Sequence, residues 1–330
     1  MSIPSFAVFS SSEDPEIIPT LRSIITGADS EFDVQAVSTF EEGITSSADV
    51  LILFIGDDPS LELNDELEQH LKQRKVIGIG YTAAQLFEAL RLEIKGGACA
   101  HYGTVAPKIK VEESELIQTP PFEGPIRPVQ LSPKAMNLDH FAMHIPRYSD
   151  LLSVVDVIAR AEDDENYAPI VRQGNYVLIG LVAPPEIWTP EYRELFRNIA
   201  IALHERKAEQ FSRAQWNLTK PGTYDFALAE GFSTNTAFAK EFYFRFSKLT
   251  TFSATLQHEG SDSMMLLFMG EKNREHWTRE DAKEGEVLEI SIDITEEDLK
   301  EIEDWYWVLD VTNFDRAHTA ECSLRIEYQE

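Results

Sequence analysis

After Asp49 six apolar residues follow without a break, Val50-Leu51-Ile52-Leu53-Phe54-Ile55. A strand with one wet face alternates apolar and polar residues. An unbroken run of this length instead needs cover on both faces, as in the centre of a parallel sheet packed between helices. Lys75-Val76-Ile77-Gly78-Ile79-Gly80 is a second run of this kind, Phe6 to Phe9 a shorter one, and Phe32 to Val37 alternates. Between them lie segments with helical spacing: Ile18, Leu21 and Ile25 within 17–25, then 61–71 and 83–92. Strands separated by helices of this length predict βαβ crossovers, hence a parallel sheet with helices on both faces.

Residues 104–138 break the pattern, with prolines at 107, 120, 121, 125, 128 and 133. This stretch is expected to be extended or hairpin structure wrapped on the sheet edge. Strand-like runs return at 141–145, 154–161, 168–172 and 176–182, and Pro190 opens a helix to about Lys207, a position where its missing N–H is harmless. Beyond Gln215 seven short strands are expected, at 224–229, 240–246, 253–258, 263–268, 287–292, 305–312 and 322–328. The fold class is therefore α/β plus all-β, with an α/β domain over 1–210 and a β-sandwich over 215–330, and Lys220-Pro221-Gly222 as the hinge.

Charge narrows the function. The chain of 330 residues has 29 Lys and Arg against 57 Asp and Glu, a net charge of −28. A surface this acidic repels phosphate backbones and anionic lipid, so nucleic acid and membrane are not expected partners. Cys99 and Cys322, the two cysteines, support neither a disulfide scaffold nor a CxxC zinc cluster. The first nine residues lack a secretory pattern, and no apolar run approaches the ~20 residues of a membrane span, so a cytoplasmic protein is expected.

Lys75 to Phe87 carries the strongest local signal. A buried strand runs through the small-residue turn Gly78-Ile79-Gly80 into the helical segment Tyr81-Thr82-Ala83-Ala84-Gln85-Leu86-Phe87. Such a turn presents one position at the carboxyl edge of the sheet, beside a helix N-terminus. The segment resembles the nucleophile elbow of class I glutamine amidotransferases, in which strand, Gly-Ile-Cys-Tyr-Gly and helix follow in that order. The resemblance extends to Gly96-Gly97 and His101. It also extends to Gly180-Leu181-Val182-Ala183-Pro184-Pro185-Glu186, which is similar to the family's Gly-x-Gln-x-His-Pro-Glu element.

This resemblance implies an amidotransferase-like, flavodoxin-like domain over about 200 residues. It places the family's cysteine nucleophile on Gly80 and its general-base histidine on Pro184, and leaves only the orienting glutamate, Glu186. Thiolate attack on a carboxamide needs both the sulfur and a base, and neither glycine nor proline can supply them. The expectation is a catalytically inactive protein. Gly80, Tyr81, Thr82 and Glu186 would line a retained pocket for a small ligand or a protein partner, with no cofactor.

Other residues offer alternatives. Cys99 and His101, near the elbow, are the candidates for a rebuilt site with Glu186 and His140, hydrolysing an amide or acting on a sugar. Thr82 reads as a helix N-cap and Tyr81 as a packing residue. His140 and His144 share a face and, with Asp139 or Glu186, form a candidate zinc set. No Gly-x-Gly-x-x-Gly or P-loop element occurs, and Gly56-Asp57-Asp58 reads as a solvated turn.

In the C-terminal half, Tyr224-Asp225-Phe226 and Ser261 to Phe268 resemble the pre-peptidase C-terminal-type jelly roll. That resemblance implies a binding or positioning module. Trp305 and Trp307 are expected in its core with Tyr306 outward. The acidic run Glu296 to Asp304 reads as a solvated helix capped by Thr295. A purely structural two-domain interaction module is the third reading.

Overall fold

In a computed structural model of the chain, the three apolar runs lie side by side in the middle of one sheet. The structure describes residues 5–27, 32–56, 61, 63–94, 99–103, 108–130, 140–145, 147, 149–211, 218–228, 238–270, 277–283, 285–300, 306–315 and 317–329. The chain divides into two units, Met1–Ala214 and Gln215–Glu330. Lys220-Pro221-Gly222 falls inside the second unit and leads into its first strand.

The first unit begins with β1 (Ser5–Ser10), α1 (Ile17–Thr26), β2 (Asp33–Ala36), α2 (Phe40–Thr45) and β3 (Val50–Phe54). It continues with α3 (Asp65–Lys72), β4 (Lys75–Ile79), α4 (Tyr81–Ala89), β5 (Cys99–Gly103), β6 (Ile109–Val111), β7 (Pro125–Ile126) and β8 (His140–His144). It closes with β9 (Asp156–Ala161), β10 (Tyr167–Ala168), β11 (Ile170–Gln173), β12 (Tyr176–Ile179) and α5 (Pro190–Glu205). Nine strands form one sheet in the order β2-β1-β3-β4-β12-β11-β9-β6-β7. The first five are parallel, in the order of flavodoxin-like doubly wound sheets.

The unbroken run explains itself in this frame. Val50, Ile52 and Phe54 point into a core closed by α1 and α5, whereas Leu51, Leu53 and Ile55 point into a second core closed by α2, α3 and α4. Each face removes a full set of aliphatic side chains from water, worth about 1.5–3 kcal/mol per residue.

The parallel expectation fails beyond β12. β11, β9, β6 and β7 are joined by antiparallel pairing. Only Gly174 and Asn175 separate β11 from β12, and a two-residue connection can make a hairpin but no crossover. Gly174 supplies the positive φ of that turn, +55°. The proline-rich stretch does lie at the sheet edge, as β6 and β7. A small second sheet, β10-β8-β5, was not anticipated, because Cys99-Ala100-His101-Tyr102-Gly103 carries no strand pattern.

The second unit contains β13 (Gly222–Leu228), β14 (Phe238–Phe244), β15 (Thr250–Glu259), β16 (Met264–Gly270), β17 (Trp277–Ala282), β18 (Leu288–Ile294), α6 (Glu296–Lys300), β19 (Trp307–Asn313) and β20 (Ala320–Glu327). They form two four-stranded antiparallel sheets, β13-β20-β15-β18 and β14-β19-β16-β17. A single apolar core joins the two sheets, with Phe252 of one stacked on Phe268 of the other at 4.2 Å between ring centroids.

Among the described residues of this unit eight strands are present where seven were expected. The missed one, β17, reads Trp-Thr-Arg-Glu-Asp-Ala and pairs at an edge, where a charged sequence is tolerated. Trp307 is in the core, stacked on Phe268 at 5.2 Å. Tyr306 lies outside that core, as expected, but is only 7% exposed, because it packs beneath the Arg245 guanidinium at 4.4 Å and edge-on to Tyr243 on the outer face. Trp305 lies outside the described residues. Thr295 caps α6, exchanging hydrogen bonds with Asp298 at 2.7–3.3 Å.

Candidate functional site

The carboxyl edge of the parallel strands is where an open α/β sheet presents a site. β3, β4 and β12 end there in register, Phe54 opposite Ile79 and Ile79 opposite Ile179. The ladder continues past the strand ends. Ile55 N–H donates to Ile79 O at 2.9 Å and Gly80 N–H to Ile179 O at 3.1 Å. Gly180 is tied in by its N–H to Pro169 O at 2.8 Å and by Phe141 N–H to its carbonyl at 3.1 Å.

Gly80 turns the chain from β4 into α4 at φ 109° and ψ 166°, a conformation that L side chains rarely adopt. A Cβ at this position would lie 1.8 Å from Ile55 O and 2.7 Å from the Ile55 carbonyl carbon. The backbone of the β3 terminus therefore fills the volume into which a nucleophile at residue 80 would project. Thr82 N–H, one of the first amides of α4, is also engaged, donating to Gly56 O at 3.1 Å. A free helix N-terminal amide is what an oxyanion site requires, and this one is spent on the turn.

Thr82 is not the N-cap. The cap position is Gly80, which has no side chain to offer, and Thr82 is the second helical residue, 2% exposed. Tyr81 is partly buried and packs edge-on against Phe141, with ring centroids 5.9 Å apart.

Pro184 and Glu186 lie on a tight turn of 3-10 helix at Pro185–Ile187. The turn is held rigidly: Ile187 N–H donates to Pro184 O at 3.1 Å and Trp188 Nε1 to Ala183 O at 2.7 Å. Arg193 Nη2, reaching back from α5, donates to Pro185 O at 3.2 Å and Glu186 O at 2.7 Å. The Glu186 side chain is exposed, and its carboxylate accepts no hydrogen bond from the described residues.

His140 is fully buried in β8, while His144 is partly buried against Tyr167 at 5.3 Å between ring centroids. Burial holds the His144 imidazole below its ordinary pKa, opposed by the nearby Asp164 carboxylate. Among the described residues no three His, Cys, Asp or Glu side chains converge on a common point, and Asp139 lies outside them. β5 places His101 opposite Phe141 and Cys99 opposite Met143, so the small sheet adjoins the carboxyl edge through Phe141 and Gly180. Gly96, Gly97, Asp57 and Asp58 lie outside the described residues.

One polar cluster was missed in the sequence. Arg160 and Arg172 are 2% and 3% exposed and line a cavity of about 420 Å³ with Glu112, Glu115 and Asp156. Arg172 donates through Nε to Asp156 at 3.1 Å and through Nη1 to Gly174 O at 2.8 Å, and pairs through Nη2 with Glu115. Asp156 in turn accepts the Glu115 and Leu116 N–H groups, pinning the edge segment to the sheet. The available signal was an arginine inside the apolar contexts Ala159-Arg160-Ala161 and Val171-Arg172, since a charge in a buried strand must have partners.

No protein-family model matches the chain, and no curated protein matches it. Among solved structures, a putative GMP synthase component from Thermoplasma acidophilum is similar at 12% identity, covering 62% of this chain and 95% of its own, with a TM-score of 0.36. A two-domain esterase (CEX) active on acetylated mannans is similar at 8% identity, covering 98% of this chain and 91% of its own, with a TM-score of 0.20. The capsular polysaccharide assembling protein CapF from Staphylococcus aureus is similar at 10% identity, covering 97% and 95%, with a TM-score of 0.21. At these scores the similarities carry no inference.

Proposed function

We propose that this chain is a catalytically inactive, amidotransferase-like binding protein whose sheet edge serves recognition rather than turnover. One observation carries the reading: the Ile55 carbonyl stands 1.8 Å from where the Cβ of a nucleophile at Gly80 would be. A proline at residue 184 leaves no base, and Glu186 then has no imidazole to orient. What remains is an exposed carboxylate on a turn held by Arg193, a group that can hold a small cationic group or a basic partner side chain. The strand order of the second unit supports a jelly-roll accessory module. Its first, eighth, third and sixth strands form one sheet, and its second, seventh, fourth and fifth form the other.

The test is hydrolysis of glutamine and of a panel of simple amides and acetyl esters by the purified full chain, alongside Glu186→Gln. The expected result is no turnover above buffer for either protein. Turnover by the wild type that Glu186→Gln abolishes would replace this reading with a rebuilt active site.

A further inference from the structure

Among the described strands β2 ends the nine-stranded sheet, so one side of its backbone has no strand beside it. The ladder with β1 fixes which groups face outward. Val8 is level with Ala36, and Val37 N–H donates to Val8 O at 3.1 Å. Asp33, Gln35 and Val37 therefore turn their backbone groups toward β1, and Val34 and Ala36 turn theirs away from the sheet.

Arg22, exposed on α1, lies across this edge. Its Nε and Nη2 both donate to Val34 O, at 3.0 and 2.6 Å. The rest of the edge is receptive to an added strand. Ala36 is exposed and, with Ile18, Pro19, Arg22, Ser23 and Thr26 of α1, lines a groove of about 520 Å³, which has room for the side chains of such a strand. The outward residues are also self-complementary. Two copies of β2 run antiparallel set Val34 of each opposite Ala36 of the other, and a pair of this kind exchanges two N–H···O bonds. The Arg22 guanidinium occupies one of the acceptors in every such pair.

We propose that Arg22 guards the β2 edge, and that the edge, once uncovered, pairs with β2 of a second copy of the chain. The planar guanidinium suits the task, because two of its donors converge on one carbonyl and hold the side chain along the strand. Covering a short edge strand with a charged side chain is a general means of preventing such pairing. Net charge does not account for the effect: the chain carries −28, and loss of Arg22 makes two copies repel each other more. The device is independent of the elbow.

The experiment is sedimentation of the full chain over a range of concentrations, at about 0.3 M salt to screen the acidic surface. It compares the wild type, Arg22→Ala and the double variant Arg22→Ala, Ala36→Pro. Arg22 is exposed and alanine favours a helix, so the single variant retains the fold. It is expected to self-associate about tenfold or more tightly than the wild type, with slowed hydrogen exchange at the Val34 and Ala36 amides as concentration rises. Proline at residue 36 removes an outward N–H without touching the ladder to β1, so the double variant is expected to return to wild-type behaviour. Equal association of Arg22→Ala and the wild type would overturn the proposal. So would association that persists in the double variant, or that leaves the two amides unprotected, since a merely structural role for Arg22 moves neither.

Discussion

The Ile55 carbonyl oxygen and the α-carbon of Gly80 are packed so closely that no Cβ fits between them: the separation would be 1.8 Å. The end of one central strand thereby seals the turn that follows its neighbour. Ile55 N–H to Ile79 O and Thr82 N–H to Gly56 O fasten the same two segments from either side. The exclusion of a side chain at residue 80 is therefore built into the backbone.

Gly80→Ala is expected to destabilise the fold by about 3 kcal/mol, combining the strain of a non-glycine residue at φ 109° with displacement of the β3 terminus. Denaturant unfolding measures it. An alanine variant as stable as the wild type would show that the turn relaxes easily and that the position is open.

Arg193→Ala is expected to loosen the turn carrying Glu186, because the guanidinium holds two carbonyls in succession. With Arg193 half-buried the loss should be about 1–2 kcal/mol. It should be accompanied by faster hydrogen exchange at Ile187 and Trp188, whose amides close the turn. Unchanged exchange at those amides would mean that the Trp188 Nε1 bond to Ala183 is sufficient.

Two aspartates of the second unit should respond to pH in opposite directions. Burial and the facing Glu241 push the Asp310 carboxyl up to about 7, against the Thr312 hydroxyl that donates to it at 2.6 Å. A raised folded pKa gives stability that is complete below about pH 4 and lost as pH rises through about 7. Asp310→Asn should accordingly raise stability at pH 8, by about 1–2 kcal/mol, and change it little at pH 4. The amides of Asp262 and Ala317, with His318, hold Asp315 down to about 2. Its contribution is present above the ordinary carboxylate range and disappears as pH falls toward 2, so Asp315→Ala should lower the melting temperature at neutral pH and converge with the wild type in acid. Melting curves across pH check both, and parallel curves for either variant would contradict the assignment.

Much of the frame was legible because burial leaves a direct trace in residue type. Val50 to Ile55 announced a strand covered on both faces, and it is one. Pro190 opened α5 and Thr295 capped α6. The hidden parts had no such trace. β17 is charged and ends its sheet among the described strands, and β5 has no periodic pattern and pairs in a three-stranded satellite sheet. At the elbow, sequence shows that residue 80 is glycine, whereas its closure by Ile55 depends on strand register at β3 and β4, which residue type alone does not encode. Arg160 and Arg172 looked like ordinary strand residues until their partners, 48 and 57 positions away, were brought beside them.

The most direct measurement is ammonia release from glutamine by the double variant Gly80→Cys, Pro184→His, which places a thiol and an imidazole at the two positions where the proposed reading expects them in an active relative, beside the wild-type chain. Closure of the turn predicts no ammonia above background from either protein, together with a less stable double variant. Glutamine hydrolysis by the double variant at undiminished stability would show that the nucleophile position is open, and would contradict the claim that this sheet edge is built for binding alone.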